Sequence, residues 1–107
     1  MRIQATASIA ASFLCLVMAP PAQAQNKEAL YLKSLAATCA NCHGTNGKAV
    51  AGSSVVSLAG LDKDYFSAQM KAFKTGSRPA TVMHQISKGF NAAQIESLAT
   101  YFAVQKN

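Results

Sequence analysis

Apolar side chains recur at helical spacing in three separate parts of this 107-residue chain. The first part is residues 27–38, where positions i, i+3 and i+4 are apolar and predict a helix. Glycine and serine are frequent over residues 44–60, which predicts a loop. Val55, Val56 and Leu58 within it could form a short strand, but they fit an apolar loop that wraps around another group better.

The second part predicts a helix that begins near Asp62, a favourable N-cap, and ends near Gly76, a favourable C-terminal cap. Phe66, Met70 and Phe73 are spaced to lie on one face of it. After this helix, the sequence predicts a connection with one short helix over residues 81–88.

The third part predicts a last helix that begins after Asn91, with Gln94 three residues later as in a capping box. Its buried face is expected to contain Ile95, Leu98, Ala99 and Phe102. Because the first and last helices each need a partner, we expect them to pack on each other. The pattern therefore predicts an all-α domain of three to four short helices around a long loop.

The first 24 residues have the pattern of a secretory signal peptide. A basic start is followed by an apolar run over residues 9–18 and by the small–x–small sequence Ala22-Gln23-Ala24. We expect cleavage after Ala24, which leaves residues 25–107 as one periplasmic domain. The apolar run is shorter than the ~20 residues of a membrane helix. We therefore expect no membrane span after cleavage, and an uncleaved anchor is the alternative.

Cleavage changes both the charge and the cysteine content. Without Arg2, nine basic residues oppose four acidic ones, a net charge of +5. Such a surface can steer a partner protein that has an acidic face. The basic residues form no dense run, so nucleic-acid binding is not expected. Cys15 is lost with the signal peptide, and a disulfide between Cys39 and Cys42 would close too small a loop to stabilise a fold.

The remaining cysteines lie in the segment CANCH, residues 39–43. A structural zinc site needs four Cys or His ligands, and only His84 remains as a further candidate. A redox dithiol normally accompanies a βαβ pattern, which the sequence lacks. The spacing C-x-x-C-H is the signature of c-type haem attachment. It favours a haem bound through Cys39 and Cys42, with His43 as an iron ligand.

The second axial ligand has three candidates, and an open site is a further possibility. Met70 lies on an apolar helix face, where core packing is the more common role. Met83 follows Pro79, which stiffens a segment with few other apolar demands. His84 would be a stronger ligand, but its side chain is expected to point away from the direction that the Met83 side chain takes. We favour Met83.

Three segments, CANCHG, LAGLDKDYFSAQMKAFKTGSRPATVM and AAQIESLATYFA, resemble a small class I cytochrome c across residues 27–105. Within that family the arrangement resembles the cytochrome subunit of flavocytochrome c sulfide dehydrogenase and related sulfur-oxidation cytochromes. The resemblance implies the class I fold with one covalent haem c, thioether bonds to Cys39 and Cys42, and axial ligation by His43 and Met83. It also implies that Arg78 approaches a haem propionate, although a solvated surface arginine fits the charge pattern equally well.

One departure concerns the support of the proximal histidine. Many members of this family place a proline after the haem motif, and a backbone carbonyl there accepts the second N–H of the histidine. This sequence has no proline between Gly44 and Arg78. Because a metal-bound histidine normally has such a partner, we expect a carbonyl within residues 50–54 to accept that N–H.

The resemblance implies an electron-transfer protein, not an enzyme in its own right. It would be a free carrier or the electron-accepting subunit of a sulfide dehydrogenase. Its redox partner would then be, for example, a flavoprotein subunit or a terminal oxidase. The alternative is a haem protein with an open or displaceable sixth site, acting as a gas sensor or a peroxidase-like enzyme.

Overall fold

The computed structural model describes residues 23–107 and contains four α-helices joined by loops. They are α1 (Gln23–His43), α2 (Lys63–Thr75), α3 (Met83–Ile86) and α4 (Ala92–Ala103), with 3-10 turns at Thr45–Gly47 and Ser87–Gly89. No strand occurs among these residues, and the segment that contains Val55 and Val56 is a loop, as the sequence favoured. The all-α prediction is confirmed.

The helix bounds differ from the predicted ones at both ends of α1. The helix predicted over residues 27–38 runs from Gln23 to His43 and so includes the CANCH segment. It stops there because Gly44 adopts a positive φ of 87°, and a Cβ at this position would lie 1.9 Å from the carbonyl oxygen of Lys48. The first break in helical conformation is therefore this glycine.

The predicted N-terminal region falls largely outside the described residues. Residues 1–22 carry most of the expected signal peptide, so its cleavage after Ala24 stays a prediction. Within the part of the chain that the structure describes, no helix is long and apolar enough to cross a membrane.

The predicted caps of the next helices are confirmed. A side-chain oxygen of Asp62 accepts the backbone N–H of Tyr65 at 2.8 Å, and Gly76 closes α2 in the left-handed conformation. At α4, Asn91 and Gln94 exchange side-chain and backbone hydrogen bonds as in a capping box. The short helix predicted over residues 81–88 consists of α3 and the 3-10 turn that follows it.

The core is built on α4, whose predicted face is almost completely buried. This face consists of Ile95, Leu98, Ala99 and Phe102, each at most 1% exposed. Phe66 of α2 packs there with its ring centroid 5.6 Å from that of Phe102, and Met70 joins the same cluster. This contact fixes α2 against α4 and leaves the loop of residues 44–61 to complete the core with Leu58.

The predicted pairing of the first and last helices is also present. Ala36 of α1 belongs to the core cluster, and two tyrosines add polar contacts at its edge. Gln94 Nε2 donates to the hydroxyl of Tyr31 at 2.8 Å, and the hydroxyl of Tyr101 donates to Asn46 Oδ1 at 3.0 Å. These bonds fix the middle of α1 and the turn after it relative to α4.

Candidate functional site

Cys39, Cys42 and His43 lie in the last turn of α1. Residues three and four apart are neighbours on a helix surface, so the three side chains share one face. The backbone N–H of Gly44 still donates to the carbonyl of Ala40 at 2.9 Å, which keeps this turn regular up to its last residue. The helix thus presents two sulfur atoms and an imidazole together at its end.

The imidazole of His43 is buried, with 8% of the residue exposed, and its Nδ1 lies 2.6 Å from the carbonyl oxygen of Val56. A carbonyl oxygen can only accept a hydrogen bond, so Nδ1 must carry the proton. In the neutral ring Nε2 then has a free lone pair, which is the form that binds a metal. The expectation of an acceptor within residues 50–54 was wrong, because the loop brings a later carbonyl to the ring.

Cys39 and Cys42 form no disulfide among residues 23–107, and their surroundings differ. Cys39 is half-buried against the core cluster, whereas Cys42 is exposed. Burial raises the pKa of the Cys39 thiol, and a hydrogen bond with Thr38 offsets part of that rise. Because no disulfide joins them, both sulfur atoms are available for new bonds.

The candidates for a second axial ligand have separate environments. Met83 is the first residue of α3, is half-buried and packs against the core cluster that Cys39 also borders. Met70 is 5% exposed and is a member of that cluster, in agreement with a packing role. The Nδ1 atom of His84 is buried and has no hydrogen-bond partner among residues 23–107.

Arg78 makes contacts that the sequence did not predict. Its guanidinium lies over the ring of Phe73, 4.6 Å from the centroid, and Nη1 donates to Gln69 Oε1. Its backbone N–H donates to the carbonyl of Ala72 at 3.1 Å. Arg78 is exposed, and these bonds fasten the loop that leads to Met83 onto α2.

The donor set fits a c-type haem. It provides two thiols that form no disulfide in the described part of the chain, and a buried imidazole whose proton is fixed on the nitrogen that faces Val56. Sequence reasoning missed the Val56 carbonyl and the Arg78 contacts, because both depend on how distant parts of the loops meet. The only sequence signal for the Val56 carbonyl was the absence of a proline after the CANCH segment.

Comparison with known proteins gives the family of the chain and several relatives. A family model described as Cytochrome c matches residues 29–104. The cytochrome subunit of sulfide dehydrogenase from Chlorobaculum tepidum is 41% identical over 69 residues, which cover 64% of this chain and 60% of that protein. The thiosulfate dehydrogenase electron acceptor from Thiomonas intermedia is 38% identical over 71 residues, or 66% of this chain and 33% of that protein.

A third relative is closer in length. Cytochrome c-554(548) from Halomonas halodenitrificans is 31% identical over 72 residues, covering 64% of this chain and 86% of that protein. The chain therefore matches between a third and three fifths of the length of the two dehydrogenase-related proteins, and most of the length of the third.

Proposed function

The chain belongs to the cytochrome c family, and on that premise we propose that it is a mono-haem electron-transfer protein. The observation that carries this proposal is the hydrogen bond from His43 Nδ1 to the carbonyl of Val56, which leaves Nε2 free on the helix end that also carries the Cys39 and Cys42 thiols. The family's cofactor is a covalently attached haem c, and these three side chains are what such a cofactor requires.

Each residue of the site has a distinct role. Cys39 and Cys42 would hold the haem through two thioether bonds, which fasten it to the end of α1. His43 would bind the iron through Nε2, and Met83 would bind it through its thioether sulfur. The bound group supplies an iron that gains and loses one electron.

The proposed His and Met ligands determine what kind of chemistry is available. If His43 and Met83 both bound the iron, the chain would leave no ligand position for a substrate, which would suit electron transfer better than catalysis. A thioether ligand also raises the reduction potential relative to a stronger donor. The buried side chains of Leu58, Phe66 and Met70 provide a rigid apolar environment, so that little rearranges when the charge changes.

We further propose that the chain accepts electrons from a dehydrogenase that oxidises a sulfur compound in the periplasm. The names of the relatives from Chlorobaculum tepidum and Thiomonas intermedia support this assignment. No flavin-binding motif is apparent in the sequence, so sulfur chemistry would belong to a partner such as a flavoprotein. The net charge of +5 expected after cleavage would guide docking to an acidic surface. Affinity purification of the native protein tests the partner: recovery of a flavoprotein in stoichiometric amount is expected.

Mass spectrometry of the denatured native protein tests the cofactor and the export signal together. The expected mass is that of residues 25–107 plus one haem, which stays attached after extraction with acidified acetone. A haem that leaves the protein in acetone would contradict the proposed thioether bonds. A mass that includes residues 1–24 would instead contradict cleavage and support the membrane-anchored alternative.

A further inference from the structure

We propose that Ser57 is a positioning residue for the proximal ligand, because its hydroxyl holds the Val56 carbonyl at His43. This inference rests on the proposed function, in which His43 binds a haem iron. Among residues 23–107, the Ser57 side chain makes no hydrogen bond to His43 or to any other proposed ligand.

The Val56 carbonyl needs an anchor from elsewhere. Val56 lies in an exposed loop and is itself 61% exposed. The packing of its side chain therefore contributes little to holding its carbonyl in place. Yet its carbonyl oxygen makes the 2.6 Å bond to the buried ring of His43, thirteen residues earlier in the chain. No proline lies in this loop to restrict the backbone.

Ser57 supplies that anchor from the next residue. Two acceptors lie within reach of its hydroxyl, the carbonyl oxygen of Gly47 at 2.9 Å and Asn107 Oδ1 at 3.1 Å, and the single proton goes to Gly47, the nearer one. The hydroxyl oxygen receives a longer bond from the backbone N–H of Ala49 at 3.4 Å. Gly47 is buried and lies only four residues after His43. The serine therefore links the loop that carries the acceptor directly to the turn that follows the histidine.

The same carbonyl of Gly47 also accepts two backbone bonds, from Leu58 at 2.7 Å and from Ala59 at 3.0 Å. Both donors follow Ser57 in the chain. Rotation about the backbone of Ser57 could therefore still turn the peptide group that contains the Val56 carbonyl. The hydroxyl bond fixes the direction of the Ser57 side chain and thereby restricts that rotation. This side-chain hydrogen bond thus restricts backbone rotation, as a proline ring would do covalently.

The position of this carbonyl affects the proposed ligand. A hydrogen bond from the second ring N–H to a carbonyl fixes the ring and makes the imidazole a stronger donor to a metal. A stronger donor favours the oxidised, more positive iron and lowers the reduction potential. Loss of the serine hydroxyl should therefore weaken the His43–Val56 bond and raise the potential.

The test compares variants of the holoprotein at two serines of the same loop. Ser57→Ala removes the hydroxyl, and Ser57→Thr and Ser57→Val form a pair of equal shape in which only Thr retains it. Ser53→Ala is the matched control, because the Ser53 hydroxyl oxygen accepts the N–H of Val55 at 3.1 Å and does not touch Gly47. The readouts are NMR hydrogen exchange of His43 Nδ1–H and the reduction potential.

We expect Ser57→Ala and Ser57→Val to exchange this proton about tenfold faster, the order of effect of one lost hydrogen bond, and to have a raised potential. Ser57→Thr and Ser53→Ala should match the native protein in both. If the haem content is normal, either unchanged proton exchange in Ser57→Ala or an equal effect in Ser53→Ala overturns the proposed role of Ser57. A native protein without covalent haem overturns the proposed function as well.

If Ser57→Ala does not fold, the Thr and Val variants decide. Equal exchange rates and potentials in these two overturn the proposal, because only the hydroxyl distinguishes them. A faster rate and a higher potential in the Val variant support it.

Discussion

The α-carbon of Gly47 faces the ring of Phe102, and a Cβ built on it would lie 2.7 Å from the nearest ring carbon. The same atom would lie 2.9 Å from Cβ of Leu58. Gly47 also has a positive φ of 75°. The turn after the CANCH segment can therefore approach α4 this closely only with a glycine at this position.

Replacing Gly47 with alanine should destabilise the protein strongly. A non-glycine residue at positive φ costs about 1–2 kcal/mol, and overpacking of a core adds about 1–3 kcal/mol. Gly52→Ala is the control, since Gly52 has a φ of 79° but, apart from its chain neighbours, no atom of residues 23–107 within 4 Å of its Cβ position. Denaturant unfolding of the oxidised protein should show a clearly larger loss for Gly47→Ala. Equal losses would mean that the contact with Phe102 does not limit this position.

The two thioether bonds should be separable by substitution. Cys39→Ala or Cys42→Ala should retain haem through the remaining sulfur, whereas the double variant should lose covalent attachment. Cys15→Ala should behave as the native protein, because Cys15 lies in the segment that we expect to be removed. Haem staining after denaturing electrophoresis measures the outcome. A stained band in the double variant would exclude these cysteines as the attachment sites.

Met83→Ala should open the sixth position of the iron. The reduced variant is then expected to bind carbon monoxide rapidly at neutral pH, while the native protein does not. His84→Ala and Met70→Leu serve as controls and should resemble the native protein. Rapid binding by the native protein would support the alternative of a gas-binding or peroxidase-like function. Binding by a control variant, with Met83→Ala unchanged, would identify a different ligand.

Lys71 and Glu96 connect α2 and α4 through an exposed ion pair of 2.8 Å. The hydrogen bond from Lys71 lowers the pKa of Glu96 below its usual value. A lowered folded-state pKa stabilises the protein above the unfolded-state pKa, and this contribution disappears as the pH falls through the folded-state value. Because both side chains are exposed, the effect on stability should be small.

Lys71→Gln should therefore raise the pH at which Glu96 titrates, as followed by the NMR shift of its carboxyl carbon. The difference in unfolding free energy from the native protein should be present at neutral pH and vanish in acid. Lys33→Gln removes the same charge on α1, where it makes no bond to Glu96, and should leave the titration unchanged. An unshifted Glu96 in Lys71→Gln would show that the pair does not form in solution.

Local patterns predicted the features that depend on neighbouring residues. The caps at Asp62, Gly76 and Asn91 and the buried face of α4 are set by spacings of a few positions, and the structure confirms them. The C-x-x-C-H spacing likewise lies within one helical turn. Such features need no knowledge of how distant segments meet.

Features that join distant segments were predicted less well. The carbonyl that accepts from His43 belongs to Val56 and not to residues 50–54, because the loop is fixed by bonds to Gly47 from residues 57–59. Arg78 contacts Phe73 and Gln69 on α2, which depends on the path of the chain after Gly76. Neither path follows from periodicity or from local composition.

A potentiometric titration of the purified native protein tests whether its haem carries single electrons. We expect one reversible transition of the haem absorption spectrum that follows a one-electron Nernst curve, about 59 mV for each tenfold change in the ratio of oxidised to reduced protein. The oxidative and reductive titrations should superimpose. A haem that shows no reversible one-electron transition would contradict the proposed electron-transfer function.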